Sequence, residues 1–161
     1  LHADPNIGNF AFLPEGGIVV YDFGCVKRVP EDIAEGYAEL IRAALEDRRE
    51  EVPTILLDLG VHKTDGSPLP RQVTDSYYDL LIDILRDEPP YTFGSDPELY
   101  QRIFDLGLAN IGEATDLVAP EHIIFIDRTL AGHFGNLTRF GATAPWRQIT
   151  AGYVRHDRNS Q

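Results

Sequence analysis

At 161 residues the chain has the length of one domain, enough to bury roughly two-thirds of its unfolded surface. A formal net charge of -12 excludes a generic nucleic-acid binder, because phosphate backbones are held by clustered Lys and Arg. A single cysteine excludes an internal disulfide framework, and no apolar run of about eighteen residues or signal-like segment occurs, so this stretch is expected neither to span a membrane nor to carry an address.

The chemistry is concentrated at the start. His2, Asp4 and Asn9 are followed by Asp22-Phe23-Gly24, with Asp4 and Asn9 five apart and Asp22 eighteen beyond Asp4. Between them, Asn9-Phe10-Ala11-Phe12-Leu13 and Gly17-Ile18-Val19-Val20-Tyr21 are short apolar runs joined by Pro14-Glu15-Gly16-Gly17, which predicts a β-hairpin with a tight turn. Such a hairpin brings its ends together, so that Asn9 and Asp22 face a common ion. Mg²⁺ takes hard oxygen ligands, usually one or two carboxylates plus nucleotide phosphates, which Asp22 and the Asn9 amide oxygen complement. Asp4 is then left to orient or deprotonate an attacking hydroxyl. Taken singly, each motif is ordinary turn chemistry; the order and spacing of the set point to phosphoryl transfer.

Only residues 25–29 separate the Asp-Phe-Gly from the next helical pattern, which leaves no room for a long peptide-docking segment and disfavours a protein substrate. Cys25 is read as a small, partly buried residue and not as a reactive thiol. Lys27 and Arg28 are candidate phosphate contacts, against the plainer reading of two solvent-facing bases.

After Pro30, Ile33, Tyr37, Leu40, Ile41, Ala44 and Leu45 recur at helical spacing, with acids in the first turn where the macrodipole favours them. A second helix is expected over 50–59 with Gly60 as its stop, and a third over 70–86 with Val73, Tyr77, Leu80, Leu81 and Ile84 inward. A polar loop with Asp65-Gly66-Ser67-Pro68 lies between them. Residues 87–95 form a Pro-interrupted loop with apolar anchors. Asp96-Pro97 caps a helix through Leu99, Ile103, Phe104 and Leu106, and Pro120-Glu121 opens another through Ile123, Ile124, Ile126, Leu130, Phe134 and Leu137. In that last helix Asp127, Arg128, His133 and Asn136 are polar among apolar neighbours, predicting internal pairing or, as the alternative, a substrate pocket. His62, His122 and His156 have no zinc-site spacing.

Residues 128–161 carry five bases and one acid, whereas 1–127 carry nine bases and twenty-five acids. Arg139, Arg147, Arg155 and Arg158 with Phe140, Trp146 and Tyr153 suit an anionic membrane surface; a solvated terminal helix and tail is the plainer reading.

Ala3-Asp4-Pro5-Asn6 through Asn9-Phe10, with Asp22-Phe23-Gly24 behind it, resembles the UbiB/AarF atypical kinase family. Asn6-Ile7, where many members have His-Pro, resembles its coenzyme Q branch. Weaker likeness continues at Ile41-Arg42-Ala43-Ala44, Asp47-Arg48, Asp87-Glu88-Pro89, Phe93-Gly94, Asp127-Arg128 and Gly132-x-Phe134. The resemblance implies the C-terminal lobe of a protein-kinase-like fold, mainly α with a small β-hairpin (α+β). Residues 1–24 would form the catalytic loop, hairpin and Asp-Phe-Gly, residues 30–155 the helical body, and 156–161 a tail. It implies Asp4 as the catalytic Asp, Asn9 and Asp22 as metal ligands, and His2, Phe23 and Gly24 as supporting residues. ATP and Mg²⁺ are the implied cofactors, and a quinone-precursor lipid or membrane surface the implied partner, with no nucleic acid. The implied location is cytoplasmic or peripheral to the inner membrane in a bacterium, mitochondrial in a eukaryote.

The chain begins with Leu and contains no Met, and it lacks the glycine-rich loop, strand lysine and partner glutamate of a nucleotide-binding N-lobe. It is therefore expected to be a piece of a longer enzyme, inactive alone. Two rivals remain: a small-molecule phosphotransferase resembling aminoglycoside or choline kinases, and a non-catalytic, nucleotide-gated lipid- or partner-binding module.

Overall fold

A computed structural model describes residues 1–85, 89–96, 98–99 and 116–155. The expected helix through Ile103, Phe104 and Leu106, the Asp87-Glu88 part of the proline-rich loop, and the 156–161 tail with His156 and Arg158 lie outside them.

The described residues are mainly helical with a small antiparallel hairpin, as the sequence predicts. Strands β1 (Phe10–Phe12) and β2 (Ile18–Val20) pair with Phe10 opposite Val20 and Phe12 opposite Ile18. The turn closes through Leu13 N–H to Gly17 O at 2.8 Å and Gly16 N–H to Leu13 O at 2.9 Å.

Helix α1 spans Glu31–Leu45 and begins at Pro30, with Glu31 and Asp32 in its first turn. It is followed by a 3-10 turn at Arg49–Glu51 and by α2 (Val52–Asp58), which Gly60 ends at a φ of 81° that a β-carbon would oppose. Helix α3 spans Arg71–Leu81 and tightens into a 3-10 turn at Ile82–Leu85. Helix α4 covers Glu121–Phe140, and α5 covers Trp146–Arg155.

The main core joins α1, α2 and α4 through Ile33, Ala43, Ile55, Leu59, Val61 and Ile123, with Tyr37, Leu40 and Leu56 packed against it. Four details differ from the sequence reading. The polar loop expected after α2 also holds strand β3 (His62–Lys63), paired with β4 (Leu117–Val118). Backbone pairing needs no apolar run, so the pattern gives no signal for it. On α1 the interior takes Ala38 and Arg42 as well as the larger apolar residues, because close helix packing favours small side chains and a paired guanidinium. On α3, Thr74 and Tyr78 are buried, with Ile84 as expected from the turn that follows. On α4, Ile124 and Leu130 are 58% and 44% exposed, since they lie off the faces that meet the rest of the molecule.

A smaller aromatic core holds the far end. Phe93 is 3% exposed and meets Tyr91, Phe134 and Trp146 edge-on or tilted, with centroids 5.1–5.3 Å apart. Trp146 Nε1–H donates to Tyr91 O at 2.8 Å. The apolar anchors predicted for that loop are thus real contacts, and Asp96 Oδ1 accepts from Glu98 N–H at 3.0 Å, as a cap should.

Helix α5 is docked instead of being a solvated terminal helix: Ala151 and Val154 are buried, and Arg147 donates inward to the carbonyls of Leu45 and Leu85. The Arg147 guanidinium is therefore not presented to an anionic surface. Buried Arg42 donates to Val154 O at 3.2 Å and pairs with Glu39 and Glu35, tying α1 to α5.

Candidate active site

Residues 1–27 fold into a strip in which local hydrogen bonds do the work that apolar burial does elsewhere. Asp4 Oδ1 accepts from Asn6 N–H at 3.2 Å, and Asn6 Oδ1 accepts from Gly8 N–H at 2.9 Å. Two successive side-chain turns of this kind, typical of Asp and Asn, wind the chain into the 3-10 turn Ile7–Asn9. That turn delivers Asn9 back to its starting point, where Asn9 Nδ2–H donates to Asp4 Oδ2 at 2.8 Å.

The hairpin then returns the chain. Tyr21 N–H donates to Asn9 O at 2.8 Å, setting Asp22 immediately beyond the residue that pairs with Asn9. Asp22 has a left-handed backbone, φ 54° and ψ 81°, sparsely populated by residues other than Gly, Asn and Asp. Its Oδ1 accepts from Gly24 N–H at 3.0 Å and leads into the 3-10 turn Phe23–Cys25.

His2 holds the two halves together. Its Nε2 lies 3.0 Å from Asp22 O and 3.3 Å from Tyr21 O. Carbonyls only accept, so Nε2 carries the proton. Nδ1 is buried and has no partner among the described residues. Backbone bonds run alongside, from Ala3 N–H to Cys25 O and from Lys27 N–H to Leu1 O, each 2.8 Å.

The structure thus brings His2, Asp4, Asn9 and Asp22 onto one strip, with Phe23 and Gly24 at its edge. Phe23 is 68% exposed and meets the His2 ring edge-on at 6.2 Å. Gly24 serves through its backbone N–H. Lys27, a candidate phosphate contact, instead pairs with Glu121 on α4 at 2.8 Å and lies 3.3 Å from the centre of the Phe125 ring. That pairing holds the Glu121 carboxyl below its ordinary range. Arg28 is exposed. Cys25, expected to be partly buried, is exposed, because the 3-10 turn after Asp22 carries it outward.

Helix α4 supplies residues that the motif alone does not reveal. Asn136 Nδ2–H donates to Pro5 O at 2.7 Å, and the His133 ring packs against Phe10 at 5.7 Å. Burial, and secondarily the nearby His2, push the His133 imidazole below its ordinary value. Asp127 accepts from the Tyr37 hydroxyl at 2.7 Å. Asp127 is exposed by surface area, but the protein around its carboxyl still desolvates it enough to raise it above the usual range, with the Tyr37 bond acting against this. Tyr37 is raised in turn, chiefly by burial. Of the four polar residues noted in this helix, His133 and Asn136 are part-buried and engaged with the strip, Asp127 is exposed but bonded to Tyr37, and Arg128 is exposed.

Among the described residues no group of three or more His, Cys, Asp and Glu is placed to hold a metal, and no helix is long and apolar enough to cross a membrane. The donor set nonetheless fits Mg²⁺. A carboxylate only accepts, so the amide group of Asn9 turns its nitrogen to Asp4 and leaves its oxygen for a ligand. Asp22 uses Oδ1 on Gly24 N–H, leaving Oδ2. One carboxylate and one amide oxygen suit an ion whose other ligands are phosphate and water.

Residues 1–56 match the ABC1 atypical kinase-like domain. That stretch contains the whole strip and α1, and it supports a kinase-type ancestry in general. A Synechocystis sp. protein described as uncharacterized is 32% identical over 91 residues, covering 55% of this chain and 15% of the relative. A Paramecium bursaria Chlorella virus 1 protein bearing an ABC-transporter name is 34% identical over 67 residues, covering 42% of this chain and 14% of the relative. The chain thus spans about one-seventh of the length of the curated relatives it matches.

Proposed function

We propose that the protein containing this chain is a Mg²⁺- and ATP-dependent atypical kinase or ATPase of the ABC1/UbiB type, and that these residues form its C-terminal lobe. The observation that carries the reading is the bridging place of Asn9 between Asp4 and Asp22: Asn9 donates to the Asp4 carboxylate while its backbone carbonyl receives the N–H that precedes Asp22. One side-chain bond and one backbone bond, both at Asn9, thus join the loop carrying Asp4 to the hairpin end that carries Asp22.

In this reading Asn9 and Asp22 would hold Mg²⁺, which when bound would supply charge neutralisation for phosphoryl transfer. Asp4 is fixed by two donors, Asn6 N–H and Asn9 Nδ2–H, and retains lone pairs with which to orient a water or substrate hydroxyl. His2 bonds the Asp22 carbonyl and so holds the left-handed backbone there.

The acceptor we infer is not a protein, because α1 begins only seven residues after Gly24 and leaves no peptide-docking segment. Support of coenzyme Q biosynthesis, with a quinone precursor at or near a membrane surface, is the finer reading; the wording Asp4-Pro5-Asn6 with Asn9-Phe10 supports it.

The test is Mg²⁺-dependent ATP binding and hydrolysis by the full-length protein and its Asp22→Asn variant. Loss of both in the variant, at unchanged thermal stability, is expected. Equal behaviour of the two proteins would remove Asp22 from the chemistry and favour a nucleotide-gated binding module.

A further inference from the structure

The residues of α4 that touch the strip recur along one side of the helix. Glu121 and Phe125 meet Lys27, Gly132 and Asn136 meet Pro5, and Phe140 meets Phe12 edge-on at 5.3 Å. Spacings of four, seven, four and four place them on a single stripe. Ile123, Ile126 and Asp127, on another side of the same helix, meet the core and Tyr37. Helix α4 is therefore bonded to the helical body on one side and to the strip on the other.

The contact at Pro5 is the closest of these. A β-carbon at position 132 would stand 2.1 Å from Pro5 Cγ and 2.6 Å from its Cβ, so only glycine lets the proline ring lie against the helix. One turn further on, Asn136 donates to the Pro5 carbonyl at 2.7 Å. Pro5 is consequently held from two directions, by shape at its ring and by a directional bond at its carbonyl. It is the residue next to Asp4, and Asn6 beyond it donates to Asp4 Oδ1.

We propose that Gly132 and Asn136 are positioning residues for the Asp4–Asn9 loop, fixing its height above α4 and thereby the aim of the Asp4 carboxylate. This role rests on the phosphoryl-transfer reading for its catalytic meaning, but the coupling of α4 to the loop is a property of the fold and can be tested without nucleotide. Neither residue touches the reacting groups. Asn136 acts through the Pro5 carbonyl, and Gly132 by offering no obstacle. Misplacement of a reacting group by about 1 Å can cost on the order of a hundredfold in rate, so a modest shift of Pro5 has a large readout.

The test uses the full-length protein with three variants: Asn136→Ala, which deletes the donor; Gly132→Ala, which drives the ring away from the helix; and Ile124→Ala, an exposed α4 position outside the stripe, as control. Hydrogen exchange is followed in a peptide covering residues 5–10, whose Gly8 and Asn9 amides are bonded within the loop. Loss of one hydrogen bond is expected to speed exchange there by about tenfold in the first two variants, with α1 unchanged and the control like wild type. The kcat for ATP turnover is expected to fall at least about tenfold in the same two variants, while KM for ATP moves by less than about threefold.

Exchange in residues 5–10 that is the same in Asn136→Ala, Gly132→Ala and wild type would overturn the proposal, whatever the activity. Faster exchange in a protein that does not bind ATP would uphold the positioning role and remove the functional reading. Unchanged exchange in a protein that hydrolyses ATP would do the reverse.

Discussion

The helical body and the strip are stabilised in opposite ways. In the body, Ala43 is fully buried, Leu59 is 4% exposed, and the core packs side chain on side chain across α1, α2 and α4. In residues 1–29 Ala3 alone is buried, while Phe12, Ile18, Tyr21, Phe23 and Val26 are more than half exposed. The strip keeps its shape through side-chain turns, a two-stranded ladder and the His2 bridge. Hydrogen bonds are directional and individually small in net effect, whereas apolar burial is large and indifferent to direction. A region that must aim particular oxygens is served by the first kind of force, and a region that must simply remain folded by the second.

The contrast is sharpest for a core deletion. Leu59→Ala removes a buried side chain that lies against Gly36 and is expected to cost about 3 kcal/mol in urea unfolding, while leaving hydrogen exchange in residues 5–10 at its wild-type rate relative to global opening. Selective loosening of the strip in that variant would show that the two regions are not independently supported.

A smaller and pH-dependent effect is expected at Asp127. Burial raises its folded carboxyl above the unfolded value, so the folded state binds the proton more tightly. The stability this gives is present below the unfolded value and is lost as pH rises through the raised folded value. At neutral pH the charge is a cost, reduced by the solvent that reaches it. Asp127→Asn keeps an acceptor for Tyr37 and should raise the melting temperature at pH 7 slightly, by at most about 1 kcal/mol in stability, with the gain vanishing toward pH 4. A variant less stable at pH 7 than at pH 4, relative to wild type, would contradict this assignment.

The smallest effect belongs to the clasp between strip and body. The Glu121 side chain is 73% exposed, so Lys27→Ala should cost about 1 kcal/mol or less, with the Phe125 face contributing part of it. A larger loss in thermal unfolding would mean that the clasp, and not the Pro5 contact, is the main attachment of the strip.

Much of the body was legible because its signals are periodic. Pro30, Pro70 and Pro120 stand where α1, α3 and α4 begin, and Gly60 where α2 ends. The hairpin was legible for a different reason: two short β-branched and aromatic runs flank a Pro-Gly turn, and Asn9 and Asp22 flank its open end, opposite that turn. What the sequence did not reveal depends on contacts between distant residues. Nothing near Lys27 announces that its partner is Glu121, and nothing near His62 announces a strand ladder with Val118. Arg42, which the helical pattern does not place inward, is buried where Glu35, Glu39 and the Val154 carbonyl meet it. Asn136 was visible as a polar residue among apolar ones, but its partner, 131 residues earlier, was not. The spacing of Glu121, Phe125, Gly132, Asn136 and Phe140 was the available clue. It mixes charged, aromatic, small and amide residues, so a scan for apolar periodicity passes over it.

The attachment of Pro5 to α4 also bears on what a similarity match delimits. Residues 1–56 carry every side chain of the proposed chemistry and the whole of the matched stretch, yet the Pro5 carbonyl, the Phe10 ring and the Lys27 ammonium all find their partners between residues 121 and 136. The boundary of the match is therefore not a boundary of the fold, and an excision made along it would separate the strip from the surface on which it is mounted.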